Sequence, residues 1–143
     1  MHLEMETLYL LDTDTISLIQ RRHPLASAKY RAVPDGPVVV SVISYEEQLR
    51  GRLAVISQSK TPEPLLKAYA RLREMQEYFC RFRILGFEAD AQAIFESLRQ
   101  KHRRHGTMDL RIAATALAND AILVTRNTQD FMNIENLTLE NWA

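Results

Sequence analysis

Short, predominantly apolar runs that alternate with helical patterns constrain the fold of this chain most strongly. A strand that is apolar on both faces has to be covered on both faces, which is typical of a parallel sheet with helices on either side. The sequence therefore predicts an α/β fold with a central, mainly parallel sheet. Strands are predicted at Thr7–Leu11, Val38–Val40, Phe82–Leu85, Ala121–Val124 and Leu137–Leu139.

Helical patterns fill most of the intervals between these runs. A brief helix around Ile16–Ile19 should end before Pro24, and Thr61-Pro62 has the form of a helix start. Ser44 and Glu47 have the spacing of a capping box, which predicts that another helix begins at Ser44. Further helices are predicted at Glu88–Arg103 and Asp109–Asn119.

Length and composition limit the class of protein. The 143 residues fit one domain, residues 1–143, and the formal net charge of +0 excludes a globally basic surface for nucleic acid. A single cysteine excludes a disulfide framework or a cysteine-based metal knuckle. No run approaches the about 20 apolar residues of a membrane span, and the acidic start Met1–Glu6 does not resemble a secretory signal. We therefore expect a cytoplasmic protein without a membrane partner.

Oxygen-bearing side chains follow the predicted strands or begin the helices beside them. The loops at the carboxyl ends of parallel strands meet at one edge of the sheet, so these side chains should gather there. Carboxylates at one edge repel each other unless a cation lies between them, and hard divalent cations prefer oxygen ligands. The pattern predicts a Mg²⁺ or Mn²⁺ site, of the kind that activates water and neutralises charge on a phosphate. Its candidate ligands are Asp12, Glu47, Asp109, Asn127 and Asp130.

Each of these residues also fits a purely local structural role. Asp12 or Asp14 suits the cap of the first helix, and Glu47 suits the capping box of Ser44. Asp109 at a helix N-terminus is favoured by the helix dipole, and Asn127 and Asp130 are common turn residues. The argument for a metal site therefore rests on their joint placement.

Four segments carry a resemblance to a known family. In order along nearly the whole chain, they resemble the motifs of PIN-domain ribonucleases, specifically the VapC-type toxins of bacterial toxin–antitoxin pairs. The resemblance implies a three-layer α/β/α PIN fold and Mg²⁺-dependent endonucleolytic cleavage of RNA. It also implies inhibition by a cognate antitoxin protein and a homodimer. The segments are Leu10–Asp14, Ser41–Gly51, Met108–Ala114 and Leu123–Phe131.

The resemblance also assigns expected roles to individual residues. By motif position, Asp12, Glu47 and Asp109 match the metal-binding acids of the family. The fourth position, often Asp in the family, is Asn127 here, which can ligate through its carbonyl oxygen but brings no charge; Asp130 is the alternative acid. The hydroxyl residues beside the site, Thr13 and Thr125, match polar positions that would orient water or ligands.

Basic residues lie near several of these positions. Arg103 and Arg104, in a segment with Arg99 and Lys101, suit either a clamp on the phosphate backbone or a solvated helix end. Arg126 adjoins Asn127, and Arg111 follows Asp109 within its helix. Either arginine is placed to meet a phosphate, and Arg111 alternatively pairs with an acid.

Two other functions fit parts of the sequence. Asp12 and Asp14 also resemble the nucleophile and acid of haloacid-dehalogenase-type phosphatases, although none of the four lysines precedes the acidic pair that family needs. The neutral Asn127 also suits a metal-poor PIN relative that only binds RNA or a protein partner.

Overall fold

A five-stranded, all-parallel sheet forms the centre of the computed structural model, which describes residues 7–34 and 36–143. The strand order is β3-β2-β1-β4-β5, which confirms the predicted α/β class and the parallel sheet. The strands are β1 (Tyr9–Leu11), β2 (Val38–Ser41), β3 (Arg83–Leu85), β4 (Ile122–Val124) and β5 (Leu139–Glu140).

Seven helices connect and cover these strands in the described part of the chain. Two of them were not predicted, because α2 buries only Ala26 and α7 is four residues long, so neither has a clear apolar period. The helices are α1 (Thr13–Gln20), α2 (Pro24–Ala32), α3 (Val42–Gln58), α4 (Pro62–Phe79), α5 (Ala89–Lys101), α6 (Thr107–Ala118) and α7 (Thr128–Phe131).

Alternate residues of the strands point into two separate cores, one on each face of the sheet. Leu10 is in register with Val39 and Leu123, and these three fully buried side chains pack against α5, α6 and α7. The next residue of each strand turns to the opposite face, where Leu11 packs with residues of α1, α2 and α4 such as Phe79. The result is the predicted three-layer α/β/α sandwich.

The start of α3 differs from the prediction. The helix begins at Val42, and its N-cap is Ser41, the last residue of β2, whose Oγ accepts a hydrogen bond from the Ser44 backbone N–H at 3.1 Å. The capping box assigned to Ser44 and Glu47 is therefore wrong. Because strand and helix join without a loop, Glu47 lies in the second turn of α3 and takes no part in capping.

The order of the strands places a crevice beside β1. The next strand along the chain, β2, pairs with one edge of β1, whereas β4 pairs with its other edge. At such a switch point, the loops that follow neighbouring strands diverge and leave a crevice at the carboxyl ends. Asp12 follows β1 directly, and its backbone N–H donates to the Val124 carbonyl at 3.0 Å.

Two further predictions concern the chain as a whole. Within residues 7–34 and 36–143, none of the helices has the length and apolar character required to cross a bilayer. The acidic start Met1–Glu6 lies outside the described residues, so the single domain over residues 1–143 stays a prediction.

Candidate active site

A cavity of about 350 Å³ opens at the carboxyl end of β1. Residues from four distant parts of the sequence line it, because the ends of β1 and β4, the second turn of α3 and the first turn of α6 converge there. The structure thus brings together most of the residues predicted at this edge. The lining residues are Asp12, Thr13, Asp14, Ser17, Glu47, Asp109, Asn127 and Phe131.

Asp12 is held rigidly at the base of this cavity. It is the N-cap of α1, and its Oδ1 accepts a hydrogen bond from the Thr15 backbone N–H at 2.8 Å. Only 7% of the residue is exposed, and this burial raises the pKa of the carboxyl group, although hydrogen bonds from Thr15 and Thr125 act in the opposite direction. The capping interpretation of Asp12 is therefore confirmed, and the same contact fixes the carboxylate at the cavity wall.

Glu47 reaches the cavity from α3 and is oriented by a neighbour across the site. Its Oε1 lies 2.7 Å from the Thr13 hydroxyl, which also lies 2.9 Å from Oγ of the fully buried Ser44. A hydroxyl has one proton, so Thr13 donates to the carboxylate and accepts from Ser44. Burial raises the pKa of Glu47, and the Thr13 hydrogen bond partly lowers it.

Asp109 lies in the first turn of α6, where it lines the cavity. Burial raises its pKa, and the charges of Asp12 and Asp130 raise it further, whereas His105 lowers it. The charges of Asp109 and Asp12 likewise raise the pKa of Glu47. The carboxylates that line the cavity therefore destabilise one another's ionised forms.

This donor set suits a hard cation. Within residues 7–34 and 36–143, no three Asp, Glu, His or Cys side chains lie close enough together to hold a metal ion directly, although Asp12, Glu47 and Asp109 line the same cavity. Carboxylates and one amide oxygen around an open cavity, with no thiol, are ligands typical of a divalent cation that keeps part of its water shell. A cation would also relieve the mutual repulsion that raises the pKa values of Glu47 and Asp109.

The fourth motif contributes less directly. Asn127 lines the cavity as an exposed residue, and its backbone N–H donates to Thr125 Oγ1 at 3.1 Å. Thr125 is fully buried behind Asp12. Asp130 does not line the cavity, and its carbonyl oxygen accepts a hydrogen bond from His105 Nε2. The effect of Asp130 on the site is therefore electrostatic, because its negative charge raises the pKa of Asp109.

The structure places the predicted arginines at different distances from the cavity. Arg126 forms an ion pair with Asp14, with Nε 3.1 Å from Oδ2, at the edge of the cavity. Arg111 packs over the Phe95 ring at 5.2 Å and does not line the cavity. Arg103 lies with Arg99 on a separate shallow cavity beside α5, and neither Arg103 nor the exposed Arg104 lines the cavity near Asp12.

Ser17 lines the cavity without having been predicted there. It follows Thr13 by four residues on α1, so both side chains lie on one face of the helix, and its hydroxyl donates to the Thr13 carbonyl at 3.1 Å. This four-residue spacing from Thr13 is a signal in the sequence by which Ser17 could have been predicted.

Known proteins are similar to this chain over nearly their whole length. Ribonuclease VapC1 of Haemophilus influenzae is 27% identical over 138 residues, which cover 95% of this chain and 98% of that protein. Ribonuclease VapC2 of Rickettsia felis is 29% identical over 146 residues, which cover 94% of this chain and 98% of that protein. The crystal structure of VapBC2 from Rickettsia felis, bound to a DNA fragment from its promoter, contains a chain of TM-score 0.75 and 26% identity, with coverage of 96% of this chain and 100% of that chain.

A match to a protein family covers all the segments that form the cavity near Asp12. Residues 9–137 match the PIN domain, and this range includes every residue that lines the cavity near Asp12. The chain belongs to the PIN domain family.

Proposed function

We propose that this protein is a metal-dependent endoribonuclease that acts as the toxin of a toxin–antitoxin pair. The observation that carries the proposal is the shared cavity of Asp12, Glu47 and Asp109, three carboxylates from separate segments that meet at the switch point of the sheet. The relatives named Ribonuclease VapC support RNA as the substrate. The VapBC complex among the similar structures supports a cognate antitoxin as the protein partner.

The metal in this proposal is Mg²⁺, with Mn²⁺ as the alternative. Asp12, Glu47 and Asp109 would hold it, with Asn127 contributing its amide oxygen and Asp130 adding negative charge nearby. When bound, such a cation polarises a phosphodiester and lowers the pKa of a water molecule that attacks in line.

The chain's own residues position the ligands and limit the negative charge. The Thr15 N–H holds the Asp12 carboxylate, and the Thr13 hydroxyl holds the Glu47 carboxylate, so neither has to be ordered when the substrate arrives. Asn127 occupies the fourth motif position without a charge, which lessens the repulsion that an incoming phosphodiester meets. The site therefore favours one tightly held cation over two.

A phosphatase of the haloacid-dehalogenase type receives no support from this geometry. That chemistry requires a lysine beside the aspartate nucleophile, and no lysine of the described residues lines the cavity around Asp12. The binding-only PIN relative differs from the proposed enzyme only in activity, so a cleavage assay separates the two.

The central experiment measures cleavage of a structured RNA by the wild type and by Asp12→Asn, each with Mg²⁺ or with a chelator. We expect cleavage only by the wild type with Mg²⁺. Asp90→Asn is the matched control, because Asp90 lies on α5 outside the cavity, and it should cleave at the wild-type rate. Equal cleavage in the presence of chelator, or by Asp12→Asn, would refute the proposal, and metal binding without cleavage would favour the binding-only alternative.

The toxin role adds predictions in the cell. Expression of the wild type in the cytoplasm should arrest growth, whereas Asp12→Asn should not. Coexpression of the protein encoded by a small adjacent reading frame should restore growth and copurify with this chain. We also propose a homodimer, which light scattering of the purified protein tests directly.

A further inference from the structure

A second cleft, of about 510 Å³, lies next to the cavity near Asp12. The two share Asp14 and Ser17, so they are continuous along the outer face of α1. The walls of the cleft come from one face of α1, from Arg52 on α3 and from the second half of α4. Its charged lining consists of Asp14, Arg21, Arg52, Arg71 and Glu74.

The arginines of this cleft carry charge that the protein does not neutralise. None of Arg21, Arg52 and Arg71 has a carboxylate oxygen within 4.0 Å among the described residues. Asp14 is neutralised by Arg126, which leaves Glu74 as the one uncompensated acid of the lining. In a chain of formal net charge +0, the cleft is therefore a locally positive surface.

Neighbouring arginines on the same helices behave differently. Arg50, two residues before Arg52, pairs with Glu46, and Arg73, two residues after Arg71, pairs with Glu77. Arg50 and Arg73 lie outside the cleft. Among the described residues of α3 and α4, the two arginines without an ion pair, Arg52 and Arg71, are thus the ones that line the cleft. This arrangement is expected for a surface that binds an anion.

We propose that this cleft binds the phosphate backbone of the RNA next to the bond that is cleaved. The inference rests on the proposed ribonuclease function and identifies the path of its substrate. Guanidinium groups suit this ligand because their planar array of N–H donors matches phosphate oxygens in pairs. An RNA strand is favoured over an acidic peptide because the cleft opens into the cavity where a phosphodiester has to lie, so one continuous polyanion would occupy both.

The test compares two double variants that remove the same charge from the same helices. Arg52→Gln/Arg71→Gln removes two arginines of the cleft, and Arg50→Gln/Arg73→Gln removes their paired neighbours outside it. Binding of a fluorescein-labelled single-stranded RNA is followed by anisotropy in chelator, where no cleavage occurs, between about 50 and 200 mM salt. Cleavage kinetics with Mg²⁺ and thermal unfolding are measured on the same proteins.

We expect the cleft variant to bind RNA about tenfold or more weakly, since two charge-assisted contacts are lost. The slope of log K against log salt should fall in magnitude by roughly 1.4, about 0.7 for each phosphate contact. In cleavage, KM should rise while kcat changes little, because the cleft binds substrate and transition state alike. The control variant should stay within about twofold of the wild type, and both variants should unfold at the wild-type temperature, because these surface side chains carry little stability.

Other outcomes overturn the inference in distinguishable ways. Equal losses in both double variants would show that overall charge, not the cleft, attracts RNA. Unchanged RNA affinity in the cleft variant, while the wild type still cleaves RNA, would remove the inference and leave the proposed function standing. If that variant instead loses only the copurifying antitoxin, the cleft is a protein-binding site. A wild type that neither binds nor cleaves RNA would refute both proposals.

Discussion

Replacing Thr13 with valine should weaken divalent-cation binding in the cavity near Asp12. Valine keeps the shape of threonine and removes only the hydroxyl, which lies 2.7 Å from Glu47 Oε1 and 2.9 Å from Ser44 Oγ. Without this contact, Glu47 is free to adopt other rotamers on α3, and the carboxylate has to be ordered when the cation binds.

The size of the effect follows from the contact that is lost. A hydrogen bond to a charged group contributes about 1.5–3 kcal/mol. Since about 1.4 kcal/mol corresponds to tenfold in affinity, the loss amounts to roughly 10–100-fold, which is the range measured when groups that orient metal ligands are removed. Thr13→Ser retains the hydroxyl and should bind within a fewfold of the wild type.

The defect should depend on pH in a specific direction. The pKa of Glu47 is raised by burial, so a proton competes with the cation more strongly than it would at an exposed glutamate. The Thr13 hydrogen bond lowers this pKa, and its loss in Thr13→Val raises the pKa further. The ratio of wild-type to variant affinity should therefore grow as the pH falls.

Calorimetric titration with Mn²⁺ at several pH values measures both effects on wild type, Thr13→Val and Thr13→Ser. Wild-type affinity in Thr13→Val would show that Glu47 either needs no orientation or is not a ligand. A loss of equal size in Thr13→Ser would show that packing, not the hydroxyl, is responsible. A defect independent of pH would contradict the assigned effect on the pKa of Glu47.

Three further predictions test the electrostatics and the fold. A divalent cation at about 100 times its Kd should raise the free energy of unfolding by about 2.7 kcal/mol, and Asp12→Asn should lose most of this gain in calorimetric melts. In chelator, Asp109→Asn should be more stable than the wild type at neutral pH, because the pKa of Asp109 is raised in the folded state and its ionisation opposes folding. That advantage should shrink as the pH falls through the raised pKa, and urea denaturation below the ordinary value of 3.8 should show none of it. Ser41→Ala should cost about 1 kcal/mol in urea denaturation with an unchanged m value, since it removes the N-cap of α3.

The central sheet and the meeting of the acids could be predicted because both follow from local rules. Strands such as Val38–Val40 are β-branched throughout, and their burial on both faces requires a parallel sheet between helices. Once the sheet is parallel, residues that follow its strands meet at one edge. That rule predicted that Asp12, Glu47, Asp109, Asn127 and Asp130 lie together, and all of them except Asp130 line the cavity.

The remaining features depend on contacts that no local pattern encodes. The start of α3 was misplaced because Ser41 ends a strand and caps a helix at once, whereas Ser44 and Glu47 imitate a capping box three residues later. Asp14 and Arg126 are 112 positions apart in the sequence. They pair because the sheet order places β1 and β4 side by side, which no local pattern predicts. The basic residues Arg103 and Arg104 are adjacent in the sequence, but neither lines the cavity near Asp12, because proximity along the chain does not set which surface a side chain joins.

The cleft arginines illustrate the same limit and explain how a neutral chain can present a positive path. Arg21 caps the C-terminus of α1, Arg52 lies on α3 and Arg71 on α4, and the three have no shared motif, so their charges add only after folding. At the junction between cleft and cavity, the charge of Asp14 would repel a polyanion. Arg126, which lines neither the cleft nor the cavity, neutralises the Asp14 carboxylate. A phosphate chain along this path therefore meets one uncompensated carboxylate in the cleft, that of Glu74, and a cluster of them only in the cavity, where a divalent cation would offset them.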